Sequence, residues 1–141
     1  MRPMEPQRLD GTGHRILVVD DDLAIRVLLQ AVLTRLHFEV DLAPDGAAAL
    51  DLLKNGSYDL ILLDLMMPRI DGFEFLDRTR GLVARPHIIV FTAAGQRGIA
   101  KIPAGAVCSS ILKPFDLEAF IGLVGRCLEN GAAHPTGTSG E

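Results

Sequence analysis

The chain has 141 residues, 48% of them hydrophobic and 23% charged, with a formal net charge of −4. That suits one compact domain able to fill its own core and leaves little room for a second. The acidic balance and the lack of a Lys/Arg cluster argue against a surface built to hold nucleic-acid phosphates. No apolar run exceeds strand length without interruption, and Met1–His14 has no apolar segment of the signal-peptide kind, so a soluble, cytoplasmic protein with no membrane contact is expected. The two cysteines, Cys108 and Cys127, form no CxxC pair and have no ligand-spaced histidines nearby, which predicts two packed free thiols in a reducing compartment.

A polar leader broken by Pro3, Pro6, Gly11 and Gly13 predicts disorder over 1–13, and the Pro, Thr, Gly and Ser tail predicts it again over 131–141, leaving a folded domain over 14–130. Within it, Ile16–Val19 is an apolar, β-branched run that stops at Asp20. An apolar stripe at three- and four-residue steps follows from the N-cap candidate Asp22, through Ile25, Leu28, Leu29, Val32, Leu33 and Leu36. Phe38–Leu42 alternates, which places it nearer a sheet edge, and Ala47–Lys54 is helix-forming up to Asn55-Gly56. Tyr58–Leu63 is a second apolar run, stopping at Asp64, and Gly72–Arg80 a short helix with Phe73, Leu76 and Phe75 as its inward candidates. His87–Phe91 runs to Thr92. Gly95, Gly98, Pro103 and Gly105 then allow only a short helix around Gln96–Ile102. Ser109–Leu112 is a last strand before Lys113-Pro114, and Asp116 caps a helix striped by Leu117, Phe120, Ile121, Val124 and Leu128.

Continuous apolar runs suit strands covered on both faces. Their alternation with helices predicts an α/β fold: a doubly wound sheet of five parallel strands flanked by helices. Such sheets bind ligands beyond the C-terminal ends of their strands. Here those ends carry Asp20-Asp21, Asp64, Thr92 and Lys113. Taken singly, each is an ordinary cap, turn or surface residue. Brought to one edge, the carboxylates would repel unless a cation sat among them. The oxygen set of Asp21, Asp64, a backbone carbonyl near Met66 and waters suits Mg²⁺, with Asp20 acting through a water. A carboxylate is also a competent nucleophile toward phosphorus, and Mg²⁺, Lys113 and the Thr92 hydroxyl could share the transferred group's charge.

The stretches Ile16–Asp21, Leu62–Pro68, Asp71-Gly72, Phe91–Ala93 and Lys113–Phe115 together resemble the response-regulator receiver domain of two-component signalling, over roughly residues 14–130. The resemblance implies a flavodoxin-like receiver fold in which Asp64 is the phosphorylated residue and Asp20, Asp21 and Asp64 bind Mg²⁺ with the Met66 carbonyl. Thr92 would be the switch hydroxyl and Lys113 the phosphoryl contact. It also implies a phosphohistidine donor on a sensor histidine kinase or a histidine phosphotransfer protein, and a downstream protein target. By that resemblance the chain is a phosphoacceptor rather than an enzyme acting on a separate substrate. The simplest form is a stand-alone regulator; the alternatives are part of a larger regulator or hybrid kinase, or a phosphorylation-independent interaction module.

Ser110 stands where such domains often carry an aromatic residue, so the usual coupling to the Thr lacks its larger partner. Met66 and Ala94 are neither acidic nor amide-bearing, which predicts a relatively long-lived phosphoryl group. A dehalogenase-like phosphatase is disfavoured because Met66 cannot serve as its second acid, and neither GxGxxG nor GxxxxGK[ST] follows the first strand. His14, His37, His87 and His134 show no ligand spacing and read as structural or surface residues.

Overall fold

A computed structural model describes residues 9–82 and 85–129. The elements are β1 (Arg15–Val19), α1 (Leu23–Arg35), β2 (Glu39–Ala43), α2 (Gly46–Asn55), β3 (Leu60–Leu63), α3 (Gly72–Thr79), β4 (His87–Thr92), α4 (Gly95–Ala100), β5 (Ser109–Leu112) and α5 (Leu117–Glu129). The strands form one sheet in the order β2-β1-β3-β4-β5, every pair parallel. This is the doubly wound architecture that the alternation of elements predicts.

Parallel strands need crossover helices, and these cover both faces, so alternate side chains of each central strand enter different cores. Ile16, Val18, Leu60, Leu62, Ile89 and Phe91 pack with Leu29 and Leu33 of α1 and Phe120, Val124 and Cys127 of α5. Leu17, Val19, Ile61, Leu63, Ile88 and Val90 face the other way, onto Ala49 of α2 and Phe75 and Leu76 of α3. β2, at the sheet edge, is only half covered, which explains its alternation. Four of the five described helices start where short acidic side chains can take orphan amide protons: Asp22 accepts from Ala24, Asp45 from Ala48, Asp71 from Glu74 and Asp116 from Ala119, while α4 has no side-chain cap.

Several expectations need correction. In α1, Leu28 is exposed while Leu29 and Leu33 carry the burial, because the stripe offers more apolar positions than one face can hide. In α3, Phe75 is the fully buried aromatic and Phe73 only packs at the margin. Leu9–Gly13 is not an unstructured leader. Leu9 packs at the α1/α5 core, and the Gly11 amide donates to the Leu36 carbonyl at 2.6 Å, so close over Phe38 that a Cβ would lie 2.3 Å from its ring. The remainder of the predicted leader, 1–8, and the tail over 131–141 lie outside the described residues. The cysteines are not free thiols: Cys108 and Cys127 form a disulfide. They stand 19 apart in sequence, but α5 returns antiparallel to β5 and brings their Cα atoms to 6.1 Å, inside the window a disulfide needs. Among the described residues, no helix is long and apolar enough to cross a membrane.

The two phenylalanines of α3 separate core from margin. Phe75→Ala should lower the unfolding free energy by about 3–5 kcal/mol through lost transfer energy and a residual cavity. Phe73→Ala should cost less than half of that, both being read by urea denaturation.

Candidate functional site

The strand order reverses between β1 and β3, which makes their C-terminal ends the switch point of the sheet. Backbone bonds continue one residue past each strand there. The Asp20 amide donates to the Ala43 carbonyl at 3.2 Å, and the Asp64 amide to the Val19 carbonyl at 3.0 Å. The sheet ladder itself thus delivers Asp20 beside Asp64. Both are buried, with 0% and 4% of their surface exposed, whereas Asp21 faces solvent. Oxygens of Asp20, Asp21 and Asp64 all lie within 4.8 Å of one another.

Lys113 reaches this group from the end of β5. Its amide donates to the Thr92 carbonyl at 2.8 Å, its peptide to Pro114 is cis, and its Nζ donates to Asp20 Oδ2 at 2.8 Å and Asp64 Oδ2 at 3.3 Å. The Nζ also stands 5.1 Å from the centre of the Phe91 ring. Phe91, Phe115 and Phe120 pack mutually at 5.1–6.3 Å, so the ring beneath the ammonium is itself held by aromatic contacts from the post-β5 turn and α5. Asp64 Oδ1 accepts from the Met66 amide at 3.1 Å, while the Met66 side chain is 59% exposed. Thr92 closes β4, wholly buried, and its hydroxyl oxygen accepts from the Ala94 amide at 3.0 Å. The structure thus brings Asp20, Asp21, Asp64 and Lys113 together. It leaves the Thr92 hydroxyl on its own turn, with no hydrogen bond to Asp64 or Lys113 among the described residues.

One supporting residue, Arg26, and the physical reason for another, Gly72, are visible only in the structure. Arg26, just over one helical turn past the acidic run, donates from Nη1 to the Asp20 carbonyl at 2.7 Å and pins the β1–α1 turn. Gly72 was matched as part of a motif without a physical reason. A Cβ there would lie 2.6 Å from Leu65 Cα and 2.8 Å from the Asp64 carbonyl oxygen, so only glycine lets α3 start against the Asp64 backbone. Asp71 caps the same helix, which accounts for the Asp71-Gly72 pair.

The charges are unevenly matched. Burial raises the Asp20 carboxyl above the usual aspartate range, and the Lys113 hydrogen bond only partly offsets that. Lys113, although burial opposes its charge, is held above the usual lysine range by Asp20 and Asp64. The two directions agree physically, because one ammonium serves three clustered carboxylates: the cation is well compensated and the anions are not. An all-oxygen donor set with surplus negative charge fits a hard divalent cation.

A family model described as "Response regulator receiver domain" matches residues 16–124. Response regulator MprA of Mycobacterium sp. (strain KMS) is 42% identical over 109 residues, covering 76% of this chain and 47% of that protein. The same-named protein of Mycobacterium tuberculosis (strain ATCC 25618 / H37Rv) is 41% identical over 109 residues, with the same coverage of each. The chain therefore spans about half the length of the curated relatives it matches. Among solved structures, response regulator protein TrrA from Thermotoga maritima, in complex with Mg(2+)-BeF, aligns with a TM-score of 0.73 at 34% identity, covering 80% of this chain and 97% of that one. The signal receiver domain of an HD domain-containing protein from Pseudomonas fluorescens Pf-5 aligns at 0.79 and 28% identity, covering 86% and 98%.

Removing the ammonium tests the charge account. Lys113→Met should cost about 2–3 kcal/mol in metal-free buffer at pH 7, below the 3–5 kcal/mol of a fully buried pair because Lys113 is partly exposed. The raised Lys113 pKa means its contribution is complete at neutral pH and lost only as pH climbs through and above the lysine range. Asp20 is raised too, so its protonated form is favoured in the folded state, and the variant's deficit should narrow as pH falls through that raised value toward the ordinary aspartate range. Urea midpoints across pH read both effects. With a parallel sheet that gathers these carboxylates and this lysine at its switch point, and with a family model spanning residues 16–124, the chain belongs to the response regulator receiver domain family of two-component systems.

Proposed function

We propose that the chain is a cytoplasmic phosphoacceptor that takes a phosphoryl group onto Asp64, in a Mg²⁺-dependent reaction, from a phosphohistidine on a sensor histidine kinase or a histidine phosphotransfer protein. The observation that carries the reading is the cluster of Asp20, Asp21 and Asp64 oxygens within 4.8 Å, with Lys113 bonded to two of them. Asp20, Asp21 and Asp64, with the Met66 carbonyl, would hold the ion. When bound, Mg²⁺ would neutralise the surplus carboxylate charge and the phosphoryl oxygens. TrrA, 34% identical, is a relative whose structure holds Mg(2+)-BeF, which supports this assignment.

In the transfer, an Asp64 carboxylate oxygen bonds to phosphorus as the phosphorus–nitrogen bond of the donor breaks, and the electron pair leaves on the imidazole. Lys113, already at Asp64 Oδ2, follows the charge onto the phosphoryl oxygens. The Met66 amide steadies Asp64 Oδ1. Thr92 accepts its bond from the Ala94 amide, which leaves the hydroxyl proton free to donate to a phosphoryl oxygen at the same strand edge. The chain thereby catalyses only its own phosphorylation and slow dephosphorylation, and the signal passes on through protein–protein contact. A second reading, favoured by the 47% coverage of the MprA relatives, is that the receiver controls a further domain of a longer regulator.

The donor's approach has a physical basis in α1. This helix begins two residues after Asp21 and exposes Leu23 (63%) and Val27 (53%) one turn apart on one side, with Leu28 (45%) beside them. An apolar face bordering the carboxylates suits an apolar helix surface presenting a phosphohistidine.

Intact-mass spectrometry after incubation with a small phosphoryl donor tests the chemistry. One phosphoryl group should be added with Mg²⁺, none without it and none in Asp64→Asn, and the adduct should persist beyond seconds. No adduct in any condition would favour an interaction module that keeps the residues without the activity. Val27→Glu should slow transfer from a phosphohistidine protein about tenfold or more by burying a charge in the contact, while the small donor still works at the wild-type rate. Equal slowing with both donors would remove α1 from the docking surface.

A further inference from the structure

The phosphoryl chemistry makes no use of Cys108 and Cys127, and the two halves of their disulfide sit in unequal surroundings. Cys108, in the turn before β5, is exposed; Cys127, near the end of α5, is 2% exposed and belongs to the core of Ile16, Phe91, Phe120 and Val124. We propose that this pair, joining the entry of β5 to the last turns of α5, is a reversible dithiol–disulfide site. Small thiols open it at the Cys108 sulfur, small-molecule disulfides close it, and its state governs how tightly α5 is held against the sheet.

The chemistry follows from access. A solvent thiolate approaches from the side of Cys108, the exposed residue of the pair, and not from that of buried Cys127. Its attack forms a mixed disulfide on Cys108 and breaks the bond to Cys127, which leaves with the electron pair and takes up a proton. The apolar surroundings of Cys127 favour that neutral thiol. A second thiol attacks the mixed disulfide and releases Cys108, which is protonated in turn. Two small thiols are thereby oxidised to one disulfide, and the protein disulfide is reduced to two thiols. Closure is the reverse, with oxidised glutathione as a suitable oxidant.

The structural consequence follows from how α5 is attached. At the end nearest the carboxylates, Phe115 stacks on Phe120 at 5.1 Å and both meet Phe91, over which Lys113 lies. At the far end, Cys127 is bonded to Cys108. Opening the disulfide removes the far clamp and leaves the aromatic one. The end of α5 and the entry of β5 should then loosen while Lys113, Asp20 and Asp64 keep their places. Redox state and phosphorylation would act on opposite ends of one strand–helix pair.

The test uses the full chain, treated with dithiothreitol or with oxidised glutathione. Thiols are counted by alkylation and intact mass, and backbone amide exchange is followed peptide by peptide. Reduction without denaturant should release two thiols and speed exchange over 106–112 and 121–129 by about tenfold, with exchange over 60–65 unchanged. Oxidised glutathione should restore both. Cys108→Ser, a change at an exposed position, should exchange like the reduced protein and ignore both reagents. Thiols released only in denaturant, failure of glutathione to re-form the bond, or equal exchange in the two states would each overturn the proposal. So would a loss of protection across the whole chain, since the bond would then hold the fold rather than α5.

Discussion

Two buried carboxylates at the switch point of a parallel sheet, balanced by one lysine, are the constraint around which the molecule is arranged. Asp20 and Asp64 are placed by the β-ladder itself, each one residue beyond a strand covered on both faces. Burial disfavours the charge of Asp20, and Lys113 supplies the one ammonium bonded to the two carboxylates among the described residues. The surrounding structure keeps that balance. Arg26 pins the carbonyl of Asp20, Gly72 lets α3 close against the Asp64 backbone, and the Phe91 ring lies under the lysine ammonium. A site with more carboxylates than cations has surplus negative charge, which a bound divalent cation would reduce.

The two faces of the sheet carry this site differently. The α1/α5 face holds the aromatic trio, the disulfide and the exposed apolar side of α1. The α2/α3 face is anchored by Phe75 and by the turn that follows Asp64. Asp64 therefore rests on one layer, while Lys113 is attached through β5 to the other. Thr92 ends β4, the strand between those that carry Asp64 and Lys113, and is buried. Ser110 pairs with Val90, which faces the α2/α3 core, so Phe115 and Phe120 lie on the opposite face of the sheet.

Much of this was legible in the chain because its signals are local. Ile16–Val19 and Leu60–Leu63 are continuous apolar runs, and in a parallel sheet such runs must be buried on both faces, so the polar residue that ends each run marks the C-terminal edge of the sheet. The Asp caps are local too, since a side chain need only reach an amide two or three residues ahead. Helix registers were less legible. α1 and α3 each offer more apolar positions than one buried face accommodates, and only packing against the sheet selected Leu29 over Leu28 and Phe75 over Phe73.

The sequence by itself therefore determined the alternation of elements, the parallel sheet and the identity of the residues at its C-terminal edge, because each follows from periodicity and from where an apolar run stops. Only the tertiary structure decided that Cys108 and Cys127 are bonded, that Leu9–Gly13 packs over Phe38, and that the Thr92 hydroxyl rests on its own turn. These depend on where a returning helix, a chain end and a rotatable hydroxyl come to lie in space, and no short-range pattern encodes that.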